Sequence, residues 1–270
     1  MSPQLELKNL TVSYGGKPVA QKLNGSFGCG RINLLVGRAG SGKSSLLLTI
    51  AGFHTEFSGQ ILYDGAVFQP TGNFSLTFQD PESLFFNTSV GDEVEYSLRM
   101  REVPENEITP RARQWLQRWG LDPETFYPRH PFELSGGEKR RVALAACTVA
   151  MPPVILLDEP LAGLDANGQK ALAEMLNQLA HEHIVIVVTH EPEVFLHPDS
   201  NILFLREGQG SWFSGDDFLR QAVCNREFYP LPRWYCQALG PFAAASSLPQ
   251  VNAEAVASFI AREKSHADKL

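Results

Sequence analysis

The sequence predicts an α/β fold with a largely parallel sheet, and three observations lead there. Two tracts, PVILLD at 153–158 and HIVIVVTH at 183–190, are unbroken aliphatic runs that end in polar residues. Such runs suit strands covered on both faces, as in parallel sheets, rather than the alternation of a half-wet sheet. The third is RINLLVG at 31–37, a buried strand entering a glycine-rich loop, followed by SSLLLTIAG at 44–52, which has helical character and closes on Gly52. Open α/β sheets bind ligands beyond the carboxyl ends of their strands, so the polar residues ending these tracts are expected to meet in one crevice.

The remaining elements follow in chain order. In LELKNLTVSY at 5–14, the near-alternation of Leu5, Leu7, Leu10 and Val12 predicts an edge strand before a Gly15-Gly16 turn. From about 84 to 150 the chain turns helical, with Glu, Arg and Trp prominent as in RARQWLQRW at 111–119, which predicts a helical lobe inserted into the α/β core. After about 215 the composition shifts again, to the proline-rich FYPLPRW at 228–234 and then a helix over 252–264. The expected division is a main domain over 1–214 and a C-terminal extension over 215–270.

Composition narrows the function classes. With 43% hydrophobic and 20% charged residues in 270, the chain has enough apolar material for a sizeable core. A net charge of -7 gives no basic footprint, so no nucleic-acid partner is expected. Cys29, Cys147, Cys224 and Cys236 are widely spaced, which predicts reduced, mostly buried thiols rather than a zinc knuckle or disulfide framework. MSPQLELKNL lacks the basic and apolar regions of a signal peptide, and the longest apolar tract is broken by Pro152-Pro153, so the expected place is the cytoplasm, peripheral to any membrane it serves.

The chemistry sits in two motifs. GRAGSGKS at 37–44 fits G-x-x-x-x-G-K-[ST] and lies between a predicted strand and a predicted helix, as that motif requires. Gly37, Gly40 and Gly42 let backbone N–H groups turn inward around phosphate oxygens, with Ser41 and Ser45 beside them. The helix N-terminus adds partial positive charge, Lys43 reaches the β and γ phosphates, and the Ser44 hydroxyl ligates Mg²⁺. The second motif, Asp158 and Glu159 after the aliphatic strand, also fits a solvated turn or helix cap. Beside a phosphate loop, Asp158 suits Mg²⁺ and Glu159 suits polarising an attacking water.

A third motif, ELSGGEKRRVALA at 133–145, resembles the signature sequence of ABC ATPases. Ser135 with Glu138 also fits a helix capping box, and both readings stand together. The resemblance implies an ABC-type P-loop NTPase with a mixed-sheet core, an inserted helical subdomain and ATP as ligand. It further implies that Ser135, Gly136 and Gly137 face the γ-phosphate bound by a second ATPase subunit, a copy or a paralogue. In the same family pattern Tyr14 resembles the aromatic that stacks on adenine, and Gln79 the glutamine that senses Mg²⁺ and the membrane partner. Asp165 resembles the aspartate that communicates between the two sites, and His190 the switch histidine that contacts the γ-phosphate.

A narrower resemblance runs through FQDPESLFFNTSVGDEVEY at 78–96, which looks like the energy-coupling factor (ECF) ATPases of vitamin and cobalt or nickel uptake. That group implies a transmembrane scaffold protein, whose coupling helices are gripped beside this segment, and a separate substrate-binding membrane protein. Phe85, Phe86 and Val90 are apolar anchors for such a groove, or else core residues of the helical lobe. The segments 228–240 and 247–263 resemble the tail of the same ATPases, which implies a contact between the two ATPases; packing on its own domain is the other reading. An ABC ATPase of DNA repair, ribosome or iron–sulfur assembly is the alternative, and a non-hydrolysing regulatory module a third, disfavoured by an intact Glu159 and His190.

Overall fold

The computed structural model describes residues 3–78, 80, 85–225, 228–229, 231–242, 245, 248–251 and 253–267. The chain opens with β1 (Gln4–Tyr14) and β2 (Lys17–Gly28), then β3 (Asn33–Gly37), α1 (Lys43–Ile50), β4 (Phe57–Tyr63), β5 (Ala66–Val67) and β6 (Phe74–Thr77). Helices α2 (Val90–Arg99), α3 (Glu105–Arg118), α4 (Pro123–Phe126) and α5 (Gly136–Thr148) come before β7 (Val154–Asp158). There follow α6 (Ala166–Ala180), β8 (Ile184–Val188), β9 (Asn201–Arg206), β10 (Gln209–Ser214), α7 (Gly215–Cys224), α8 (Arg233–Leu239) and α9 (Ala253–Ala267).

The strands make two sheets. One is antiparallel in the order β2-β1-β4-β5; the other has the order β10-β9-β3-β8-β7-β6 and is parallel except for the β9–β10 hairpin at its edge. The fold is therefore α/β with a mixed sheet. Strand β1 is not the edge strand that its alternation suggested: it pairs with β2 on one side and β4 on the other. Alternation reports that one face is buried and is silent about the two edges, so it could not place the strand within its sheet.

The unbroken aliphatic strands have the expected surroundings. Along β7 and β8, Ile155, Leu157, Val185 and Val187 join a cluster with α5, α6 and the tail helices, while Val154, Leu156, Ile184, Ile186 and Val188 join one with α1 and the antiparallel sheet. Each fully buried aliphatic side chain contributes about 1.5–3 kcal/mol. The strands that lead to the site are thus fixed by packing on both faces.

Helices α2, α3 and α5 pack on one another between β6 and β7, sharing Val94, Leu98, Ile108, Ala112, Leu116, Val142 and Leu144 as core. Both indole N–H groups of Trp115 and Trp119 donate to Thr148 Oγ1, at 2.8 and 3.3 Å. After β10, α7 packs on β9 and β10, and Phe218, Tyr235, Leu239, Val256 and Phe259 are buried in the same cluster as the parallel sheet. Against the expectation of mostly buried thiols, Cys236 alone of the four is buried; Cys29 and Cys147 are intermediate, and Cys224, at the end of α7, is exposed. Among the described residues no helix is long and apolar enough to cross a membrane.

Candidate functional site

The loop after β3 is built on glycines at positions that need them. A Cβ on Gly37 would lie 2.4 Å from Leu205 O and 2.6 Å from Ser41 Oγ, and Gly42 sits at φ +94 with Val19 O 2.9 Å from a Cβ. Gly42 heads α1 without any side-chain cap, so the first amides of that helix are offered to a ligand rather than to a neighbouring side chain. Tyr14, Val19, Gly40, Gly42, Lys43, Ser44 and Ser45 line one open cleft of about 260 Å³. Tyr14 is 68% exposed at its rim, stacked on His54 with ring centroids 6.1 Å apart.

Lys43 is only 6% exposed, and its Nζ donates to Gly37 O at 2.8 Å and Arg38 O at 3.1 Å. Burial lowers its pKa, opposed by the charges of Glu159 and Asp158. Ser44 Oγ donates to Asp158 Oδ2 at 3.0 Å, joining the start of α1 to the end of β7. Burial raises the Asp158 pKa against the pull of Ser44, Lys43 and His190.

Glu159 adopts φ 48, a left-handed backbone that costs a non-glycine residue on the order of 1–3 kcal/mol. Three contacts hold it there. Its N–H donates to Val188 O at 2.9 Å, its Oε2 accepts the His190 N–H at 3.1 Å, and its Oε1 lies 3.3 Å from His190 Nε2. That last contact is close enough for an ion pair but lacks hydrogen-bond geometry, leaving Oε1 a buried acceptor without a hydrogen-bond partner. Burial also raises the Glu159 pKa. Two strand ends thus present Asp158, Glu159 and His190 beside Lys43 and Ser44, with a carboxylate oxygen that accepts no hydrogen bond among them.

A polyphosphate fits this constellation: uncapped helix amides, a buried ammonium, a loop with no room for a Cβ at Gly37 or Gly42, and a Ser41 Oγ that is buried without a partner. The Ser44–Asp158 pair supplies the oxygen donors a hard divalent cation takes.

The signature residues lie elsewhere. Ser135 caps α5 with the full capping box: Ser135 N–H and Oγ donate to Glu138 Oε2 at 2.8 and 2.9 Å, and Ser135 Oγ accepts the Glu138 N–H at 3.4 Å. Ser135 and Gly136 are exposed, and none of residues 135–137 lines the phosphate-loop cleft. A Cβ on Gly137 would be 3.7 Å from Leu164 Cδ2, so the signature shares a surface with the turn at Asp165. Asp165 is exposed and caps α6, its Oδ1 accepting the Gly168 N–H at 2.8 Å. Gln79 lies outside the described residues.

Two residues were missed by sequence reasoning. Arg140, 3% exposed on α5, donates to Phe78 O at 3.2 Å and Ala162 O at 3.3 Å, tying the end of β6 to the turn before Asp165. Tyr229 in the tail donates to His190 O at 2.9 Å. A basic residue inside the apolar stretch RRVALAA was a faint signal for the first; no local pattern marks the second.

The comparisons now decide the family. Residues 20–162 match the family model of ABC transporters. The chain belongs to the ABC transporter family. An energy-coupling factor transporter ATP-binding protein, EcfA2 of Thermotoga maritima, is 36% identical over 184 residues, 67% of this chain and 69% of that protein. The spermidine/putrescine import ATP-binding protein PotA of Shigella boydii is 33% identical over 238 residues, 86% of this chain and 60% of that protein. Among solved structures, cbiO1 of Clostridium perfringens, described as part of the ABC transporter complex cbiONQ, superposes with a TM-score of 0.71 at 26% identity, covering 83% of this chain and 96% of that one. This ABC protein is thus an ATP-binding ATPase, and its resemblance to ECF-type ATPases extends to sequence and structure.

Proposed function

We propose that this chain is the motor subunit of an ECF-type importer, a peripheral ATPase on the cytoplasmic side of the membrane that pairs head to tail with a copy or a paralogue. Lys43, the loop at Gly37 to Gly42 and the amides of α1 bind the ATP phosphates, while Tyr14 stacks on the adenine. Mg²⁺ would be held by Ser44 and Asp158, with Gln79 in the sensing role that the family resemblance implies, and would neutralise phosphate charge. Glu159 orients the attacking water and takes its proton through Oε1; the His190 imidazole contacts the γ-phosphate. Ser135, Gly136 and Gly137 address the partner's nucleotide, with Asp165 carrying the state of one site to the other.

The observation that carries the transport reading is an exposed aromatic surface formed by α2 and the segment just before it. Of the three expected groove anchors, Phe85 and Val90 are buried in the helical core, but Phe86 is 63% exposed and packs edge-on against Tyr96, ring centroids 4.7 Å apart. Met100, also exposed, follows one turn on. The buried Glu93 carboxylate fixes this surface, accepting from Phe86 N–H at 3.2 Å, Asn87 N–H at 2.9 Å and Asn87 Nδ2 at 3.1 Å. An apolar surface held this rigidly suits an amphipathic coupling helix from a membrane scaffold protein.

The transported solute, a vitamin or a cobalt or nickel ion, would be chosen by a separate membrane protein. The similarity to PotA favours a second reading, an importer of organic cations with a different membrane partner. Purification of the tagged chain from membranes, with identification of its companions, separates them: small scaffold and substrate-binding proteins support the ECF reading, and a two-permease complex with a periplasmic-type binding protein overturns it.

A further inference from the structure

His190 is gripped by its backbone from two sides. Its N–H donates to Glu159 Oε2 at 3.1 Å, and its C=O accepts the Tyr229 hydroxyl at 2.9 Å. The flanking residues are tied as well: Glu191 N–H donates to Thr189 Oγ1 at 3.0 Å, and Gln169 Nε2 to Glu191 Oε2 at 3.3 Å. Of these ties, Tyr229 alone comes from beyond residue 215.

The tyrosine is itself immobilised. Its ring is 8% exposed, with its centroid 5.3 Å from that of Phe218 on α7 and 6.4 Å from that of Phe204 on β9. Phe204 pairs with Val36 at the end of β3, one residue before the phosphate loop begins. Burial pushes the phenol pKa up, reinforced by Glu193, Glu159 and Glu191, so the hydroxyl keeps its proton and remains a donor throughout the working pH range. A rigid donor on a backbone carbonyl fixes the adjoining peptides, and with them the direction in which the His190 side chain leaves the chain.

We propose that Tyr229 is a positioning residue for ATP hydrolysis: its hydroxyl, donated to the His190 carbonyl, keeps the imidazole and the Glu159 carboxylate in register. The C-terminal extension thereby acts on the chemical step of its own subunit, whatever contact it makes with a second ATPase. The inference rests on the hydrolytic roles of Glu159 and His190, not on the identity of the transported solute.

The test compares Tyr229→Phe with Tyr229→Ala in the full chain, measuring kcat, KM for ATP and melting temperature, with Glu159→Gln as control. Tyr229→Phe keeps the aromatic packing and removes only the donor, so kcat should fall about threefold to tenfold while KM stays within about twofold. Tyr229→Ala should share that kcat loss, measured well below its transition, and add a large drop in melting temperature. A wild-type kcat in Tyr229→Phe, with loss only in Tyr229→Ala, would show that the residue merely packs. If Glu159→Gln turns over normally, the catalytic assignment falls and takes the positioning role with it; if that control is dead and Tyr229→Phe is unaffected, the positioning role alone falls.

Discussion

The cleft at the ends of β3, β7 and β8 and the start of α5 are both built on a glycine-rich helix N-terminus, and they treat their polar groups in opposite ways. The cleft draws Lys43, Ser44, Asp158, Glu159 and His190 from segments more than a hundred residues apart, and it leaves Ser41 Oγ and Glu159 Oε1 buried without hydrogen-bond partners. The start of α5 is complete within residues 135–138, its polar groups satisfied by the capping box and its face open to solvent. Buried polar atoms without partners cost about 1–3 kcal/mol each where neither water nor a ligand reaches them, so of the two regions the cleft is the one under electrostatic tension. The signature carries no such tension. The structure therefore shows a cleft with buried polar atoms left open beside the phosphate loop, and an exposed helix start whose cap is already complete.

The comparison can be attacked first at its most sensitive atom. Glu159→Gln should lower steady-state hydrolysis by at least about a thousandfold while ATP still binds, as read by phosphate release and nucleotide titration. Retained turnover would mean that the unpaired Oε1 has no part in the reaction. A smaller but clear effect is expected on the face remote from the nucleotide. Replacing Phe86 by Asp should leave soluble ATPase activity within about twofold and reduce recovery of membrane proteins by about tenfold or more; unchanged recovery would remove Phe86 from the docking surface.

The weakest effect tests what it costs to bury the Asp158 carboxylate in the same cleft. Burial raises the Asp158 pKa, so the folded state holds its proton more tightly than the unfolded chain and stability falls as pH rises from the unfolded value through the raised one. Asp158→Asn escapes that loss. It should melt about 2 °C higher than the parent at pH 8, with the advantage vanishing below about pH 4, the unfolded carboxylate range. A variant that melts lower at pH 8 would show that the carboxylate stabilises the empty cleft.

How legible each region was follows from the same contrast. Local patterns were readable: the strand–loop–helix around Gly37 to Ser44, the buried strands β7 and β8, and the capping box at Ser135 all depend on neighbours within a few residues. Relations across the fold were not. The alternation of Leu5, Leu7, Leu10 and Val12 could not reveal that β1 has partners on both sides, since pairing depends on where β4 returns. Among the apolar residues of 85–90, composition could not separate the buried Phe85 and Val90 from the exposed Phe86; the Glu93 carboxylate, folding back on Phe86 and Asn87, makes that distinction. Arg140 was marked only faintly and Tyr229 not at all, because each acts on backbone carbonyls remote from it in sequence.

The central claim is that a complete nucleotide site needs the cleft of one subunit and the signature of another. Lys43→Ala destroys the first and Ser135→Arg the second, so each variant alone should be inactive. Equal mixing by co-expression gives some pairs in which one cleft and one signature are both intact, and ATPase activity should return to about a quarter of wild type for a statistical assembly of symmetric dimers. Mixed pairs that form but remain inactive would contradict a site shared between subunits.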